Sequence, residues 1–361
     1  MVEYLSGNRI QGSSTLTSSP PQTSWKELDR VTLGSTSTSF GTTFADKDNI
    51  MVLLSWSRES GASADPNLQL GDTSADTGSN YARRLSANGG TDSTNTSADY
   101  VSKWATGAGS DVMNFQQIQF SNIANQEKLG IEHGIFSGGT GAGTTPNRTE
   151  NVFKWANTSA QAGYIRYHAA SGTTFSAGSE IVVLGCDNDE ADSGTNFWQE
   201  LADVELSSGT SNTIDTGTFT AKKYLYLEFY SIPSGSQSYS VMRFNLDEGN
   251  NYASRYSTNG GTDAHHGGNN YILFYAPLNN SERFMSAFIV NNSSKEKLVV
   301  GEGVSQNTAG AGNAPERREL TGKWANTSNS ITSIQMHSDS DDDNPSRLFA
   351  AGTRVKVWGS D

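Results

Sequence analysis

The side chains with the most obvious chemistry in this chain are its acids. Asp72 and Asp76 lie in the first half where Asp247 and Glu248 lie in the second, and Asp339, Asp341, Asp342 and Asp343 crowd one stretch. Hard oxygen ligands one to four residues apart can hold calcium and stiffen a loop. Asp72, Asp76, Asp247, Glu248, Asp341 and Asp343 are therefore candidate calcium ligands, although none of the sets has EF-hand spacing. Solvated acids that add to solubility are the competing expectation, and no other cofactor is expected.

Glycoside hydrolysis would need paired carboxylates. Glu127-Lys128-Leu129 recurs as Glu296-Lys297-Leu298, and Glu27 recurs as Glu200, but each is a single carboxylate with no partner at strand spacing. His168 matches His337, and neither has a second His or a Cys at ligand spacing, so both are expected to be structural residues at strand ends. His265 and His266 sit beside Asp263 in the second half only, among Gly and Asn, where a loop with a weak surface metal site is conceivable. The run Gly138 to Gly143 lacks the Lys-Ser/Thr of a phosphate loop and reads as a hairpin tip. No G-x-S-x-G, H-E-x-x-H or C-x-x-C occurs, and the single Cys186, opposite Ser360, excludes a disulfide framework. No catalytic residue is assigned, and the expectation is a protein that is not an enzyme.

Aromatic and amide residues are what both halves keep: Trp25 and Trp198, Trp155 and Trp324, Tyr81 and Tyr252, Asn157 and Asn326. They are open to two readings. Trp could fill a core while Asn caps bends, or Trp155, Trp324, Tyr81 and Tyr252 could form a glycan platform, with ring faces stacking on pyranose rings.

The elements that must position these residues follow from a duplication. Lys154-Trp155-Ala156-Asn157-Thr158-Ser159 returns unchanged as Lys323-Trp324-Ala325-Asn326-Thr327-Ser328, and Asn88-Gly89-Gly90-Thr91-Asp92 as Asn259-Gly260-Gly261-Thr262-Asp263. A period of about 170 residues is too long for a solenoid repeat and long enough for each copy to bury its own core. The boundaries expected are an N-terminal arm at 1–24, a first domain at 25–187, a linker at 188–197 and a second domain at 198–361. Leu225, Leu227 and Phe229 alternate with Tyr226 and Glu228, the period of a strand with one buried face; Ile50, Val52 and Leu54 repeat it. Ile181 and Val183 likewise match Val355 and Val357. With 37 Gly punctuating short apolar runs, the fold expected is all-β: two tandem homologous antiparallel β-sandwich (jelly-roll-like) domains with an extended N-terminal arm. A β-barrel or another Greek-key sandwich is the alternative.

A net charge of −13 argues against a nucleic-acid partner, and Arg83-Arg84 and Arg317-Arg318 read as isolated pairs on a solvated surface. No stretch is apolar enough to span a bilayer. Met1-Val2-Glu3-Tyr4-Leu5 carries an acid where a secretory signal has a basic region, so synthesis in a cytoplasm and release by assembly or lysis are expected.

The opening Tyr4-Leu5-Ser6-Gly7-Asn8-Arg9-Ile10-Gln11-Gly12-Ser13-Ser14, the Asn80-Tyr81-Ala82-x-Arg84 followed by Asn88-Gly89-Gly90-x-Asp92, and the closing Phe-x-Ala-Gly strands at Phe175 and Phe349 resemble repeats in structural proteins of tailed phages, marine ones especially. The resemblance spans the chain. It implies a virion location and a role as a head decoration, head-fibre or tail-fibre module, with other virion proteins or copies of itself as partners. It supplies no site residues. A carbohydrate-binding adhesin module with a host-surface glycan, or a subunit of an extracellular filament or surface layer, is the alternative.

Overall fold

The computed structural model describes residues 25–60, 66–103, 112–169, 173–187, 196–235, 239–275, 281–305, 311, 313–339 and 346–361. The arm at 1–24, most of the expected linker, and the calcium candidates Asp341 and Asp343 lie outside the described residues. The fold is all-β, built as two antiparallel sandwiches of jelly-roll-like design.

The first half forms β1 (Lys26–Thr32), β2 (Ser39–Thr43), β3 (Asn49–Ser60), β4 (Pro66–Gly71), β5 (Tyr81–Ala87), β6 (Ser93–Ala98), β7 (Ser102–Lys103), β8 (Met113–Ser121), β9 (Lys128–Phe136), β10 (Asn147–Trp155), β11 (Tyr164–Ala169), β12 (Thr174–Phe175) and β13 (Glu180–Cys186). The second forms β14 (Gln199–Glu205), β15 (Thr210–Ser211), β16 (Thr213–Asp215), β17 (Tyr224–Ser231), β18 (Pro233–Gly235), β19 (Ser240–Phe244), β20 (Tyr252–Thr258), β21 (Ala264–Asn269), β22 (Ile272–Tyr275), β23 (Arg283–Val290), β24 (Lys297–Ser305), β25 (Glu316–Trp324), β26 (Ile334–His337), β27 (Arg347–Ala350) and β28 (Arg354–Ser360). The large sheet runs β1-β13-β3-β8-β9-β10-β5-β6 in one half and β14-β28-β17-β23-β24-β25-β20-β21 in the other, the same order strand for strand. The small sheets, β2-β11-β4-β7 and β16-β26-β19-β22, match in the same way.

The period of two seats the cores. Ile50, Val52 and Leu54 of β3 and Leu225, Leu227 and Phe229 of β17 all point into the space between their own two sheets and are buried there. The opposite face is less exposed than alternation predicts: Tyr226 is also buried, its ring 4.7 Å from Phe288 and 5.6 Å from Trp358. At the tips of β5–β6 and β20–β21, Asn88 and Gly89 have φ of 52° and 67°, and Asn259 and Gly260 have φ of 53° and 70°. Two successive left-handed residues are what a tight turn matching the strand twist demands, and Asn-Gly tolerates them best.

The compact units depart from the expected boundaries. Among the described residues, one comprises those from Trp25 to Ala87, Thr91–Phe136 and Thr149–Trp198; the other comprises Asn88–Gly90, Ser137–Arg148 and those from Gln199 to Asp361. The β9–β10 connection therefore belongs to the second unit, and Trp198 closes the first. The reason is hydrogen bonding: the connection's carbonyls and its Arg148 are held by groups on β20, β21 and β25.

Candidate docking surface

The retained aromatics form one structural knot per repeat. Tyr81 stacks on Trp155 at 6.5 Å and 19°, and Tyr252 on Trp324 at 6.3 Å and 15°. Trp155 Nε1 donates to Asp76 Oδ2 at 2.8 Å, and Trp324 Nε1 to Asp247 Oδ2 at 2.7 Å. The remaining acceptor capacity of both carboxylates goes to Gly78 N–H and the Asn80 amide, or to Gly249 N–H and the Asn251 amide. The Tyr81 hydroxyl donates to Leu70 O and the Tyr252 hydroxyl to Phe244 O. Burial pushes both phenols well above their ordinary pKa. Burial opposes ionisation of Asp76, yet the donors from Trp155, Asn80 and Gly78 outweigh it and hold the carboxyl below the usual range.

A lysine completes each knot. Lys128 Nζ lies 5.9 Å from the Trp155 ring and donates to Gln126 O and Asn157 O; Lys297 Nζ lies 5.6 Å from Trp324 and donates to Lys295 O and Asn326 O. Burial lowers both, Lys297 to about 8.

This geometry corrects two expectations. Trp155, Trp324, Tyr81 and Tyr252 are all buried, so no ring face is open to a sugar, and their retention reflects packing and loop anchoring. Asp247 is the counterpart of Asp76 through the shared pattern Asp-x-Gly-x-Asn-Tyr, and the oxygens proposed for calcium are occupied by internal donors. Asp72, outside that pattern, and Glu248, at its first variable position, are exposed loop residues. Among the described residues no group of three or more His, Cys, Asp or Glu is gathered in a way that could hold a metal. His265 and His266 lie on the edge strand β21 instead of in a loop, with His266 stacked on Tyr256 at 5.8 Å. His337 is buried between Gln335 and Arg243, and His168 is the penultimate residue of β11, with its pKa lowered by burial and by Arg166.

Sequence reasoning missed a polar network inside the first core, where Gln116 bridges Trp56 Nε1, the Tyr167 hydroxyl and Glu132, and Asn151 donates to Glu132 at 3.0 Å. It also missed a cluster of exposed apolar side chains among the described residues. On the outer face of the first large sheet, Leu129, Ile131 and Val152 are 58, 53 and 48 % exposed and line an open concavity of about 590 Å³ with Arg84, Asn95 and Lys154. Two ion pairs rim it, Lys154–Glu127 at 3.0 Å and Arg84–Asp92 at 3.3 Å. An apolar patch with a polar rim is a common form of protein-binding surface.

No family model matches the chain, and no curated protein matches it. Among solved structures it is similar to domains LG4-5 of the mouse laminin alpha1 chain, at 11 % identity and a TM-score of 0.20 over 96 % of this chain and 93 % of that one. It is also similar to the COG4313 outer membrane channel from Pseudomonas putida F1, at 8 % identity and a TM-score of 0.13 over 81 % of this chain and 97 % of that one. Superpositions this loose place the chain in neither family. Among the described residues no helix is long and apolar enough to cross a membrane.

Proposed function

We propose that the chain is a non-enzymatic structural subunit that works by protein–protein contact at the surface of a virion, as a capsid decoration, head-fibre or tail-fibre module. The observation that carries the reading is the contrast between retained polar groups turned inward to anchor loops and an apolar sheet face, with Leu129, Ile131 and Val152 at its centre, turned outward. Mass spectrometry and immunogold labelling of purified particles test it. The chain should co-purify at the stoichiometry of a structural protein and decorate a defined part of the particle. Loss of the chain on gradient purification would overturn the reading, and saturable binding on a glycan array would redirect it to an adhesin.

A further inference from the structure

The second unit shows what the outer face of its large sheet holds. There, Lys323 Nζ donates to Gly139 O at 2.7 Å, Glu296 accepts from Gly141 N–H at 2.6 Å, and Arg255 Nε donates to Pro146 O at 2.7 Å. Gly268 N–H donates to Ala142 O at 2.7 Å, and Asp263 takes the Arg148 guanidinium at 2.6 Å with that of Arg255 at 4.0 Å. Within this unit the face therefore reads the backbone of the glycine-rich β9–β10 connection and the charge of the arginine that follows it. Carbonyls meet cations, an N–H meets a carboxylate, and the guanidinium meets an aspartate. Gly138 and Gly141, with φ of 70° and 81°, give the connection a path that residues with side chains resist.

The first unit's face carries the same groups in the same places. Lys154 matches Lys323, Glu127 matches Glu296, Arg84 matches Arg255 and Asp92 matches Asp263. The edge strand matches as well. β6 and β21 each break register with their neighbour, and Ser97 holds a left-handed φ of 53° where Gly268 holds 67°. A serine adopts that conformation against steric resistance, so the bulge that supplies the Gly268 N–H in β21 is reproduced in β6 without the residue that makes it easy. Leu129, Ile131 and Val152 stand where the buried Leu298, Val300 and Thr321 stand, but are exposed and floor the concavity. Asp92 has the Arg84 guanidinium at 3.3 Å, as Asp263 has Arg255, and among the described residues no second guanidinium joins it.

Resting on the structural-subunit reading, we propose that this face receives a hairpin loop of a different, basic protein, with a glycine-rich tip and an arginine five residues after its last glycine, as Arg148 follows Gly143. Lys154 takes a carbonyl of the tip, Glu127 takes an N–H, Asp92 takes the arginine, and the apolar floor lies under the loop. Charge selects a foreign partner over a second copy. Each copy carries −13, so two copies repel at long range, whereas a protein of opposite net charge is drawn to the same face.

Methyl-labelled full-length chain, titrated with a disulfide-closed peptide of the sequence Ser137–Arg148, tests this by NMR. The Leu129, Ile131 and Val152 methyls should shift saturably. Ile131→Glu, at an exposed position, should abolish the shifts with melting unchanged, and Asp92→Asn should weaken binding about tenfold through loss of one charge-assisted contact. Replacing the peptide's arginine with alanine should weaken binding to the parent by the same factor and leave the Asp92→Asn affinity where it was. Shifts confined to Leu298 and Val300, or no shifts up to millimolar peptide, would overturn the proposal. Sedimentation velocity separates the two sources of such a loop: the chain alone should stay monomeric, and a concentration-dependent association abolished by Ile131→Glu would put a second copy on the face and overturn the choice of partner. The structural-subunit reading fails separately, by absence of the chain from purified particles, whatever the peptide does.

Discussion

The two outer faces carry the same ion pairs in different surroundings. Lys154–Glu127 on the first unit is 44 and 41 % exposed at 3.0 Å, whereas Lys323–Glu296 on the second is 0 and 7 % exposed at 3.4 Å. The first pair is shorter and yet contributes less, because solvent screens its attraction and side-chain entropy opposes it, leaving about 0–1 kcal/mol. In the second, three carbonyl and carboxylate acceptors surround a buried ammonium, and removing one partner strands the others without water. Sequence identity at a position is therefore a poor guide to its energetic weight when the face above it differs.

The comparison breaks first at the cores, where the repeats should behave alike. Trp155→Ala and Trp324→Ala should each cost about 3 to 5 kcal/mol of their own unit's stability, since each empties a large buried site and strands an aspartate. Chemical denaturation followed by circular dichroism reads this, and a loss confined to one repeat would show that the knots are not equivalent. At the faces the repeats should diverge. Lys323→Met should cost about 3 kcal/mol and Lys154→Met less than about 1 kcal/mol. Equal losses would mean that the Lys323 environment is as wet as its counterpart.

A smaller effect sharpens the knot itself. Tyr81→Phe and Tyr252→Phe remove one hydroxyl from buried carbonyls and should each cost about 1 to 2 kcal/mol, measurable as matched shifts in denaturation midpoint. The smallest effect is in pH. Burial lowers Lys297 from 10.5 to about 8, so between those values the unfolded chain holds a proton that the folded chain has released. Stability from this group rises with pH through that window, and Lys297→Met should flatten the rise. Lysine side-chain NMR should find one amine titrating near 8, and an ordinary titration for every lysine would contradict the assignment. Above pH 10 the trend reverses, because Tyr81 and Tyr252 stay protonated only while folded.

Much of this was legible in the chain. The repeat of Lys154–Ser159 at Lys323–Ser328 dictated two similar domains, and the alternation through Ile50, Val52 and Leu54 assigned the core face, because hydrophobic period and turn chemistry are local properties. The Asp76–Asp247 correspondence was legible too, at the same spacing as Tyr81 and Tyr252; aligning the neighbouring acids Asp72 and Glu248 with them concealed it. The donor that occupies those carboxylates was not, since Trp155 stands 79 residues from Asp76 and reaches it only once β10 lies beside β5. Least legible was exposure. Leu129 and Leu298 are the same residue at the same place in the same strand, yet one is 58 % exposed and the other fully buried. Strand register is decided by each residue's neighbours along the chain, but what covers a sheet's outer face is decided by segments far away in sequence, and only the tertiary structure brings them there.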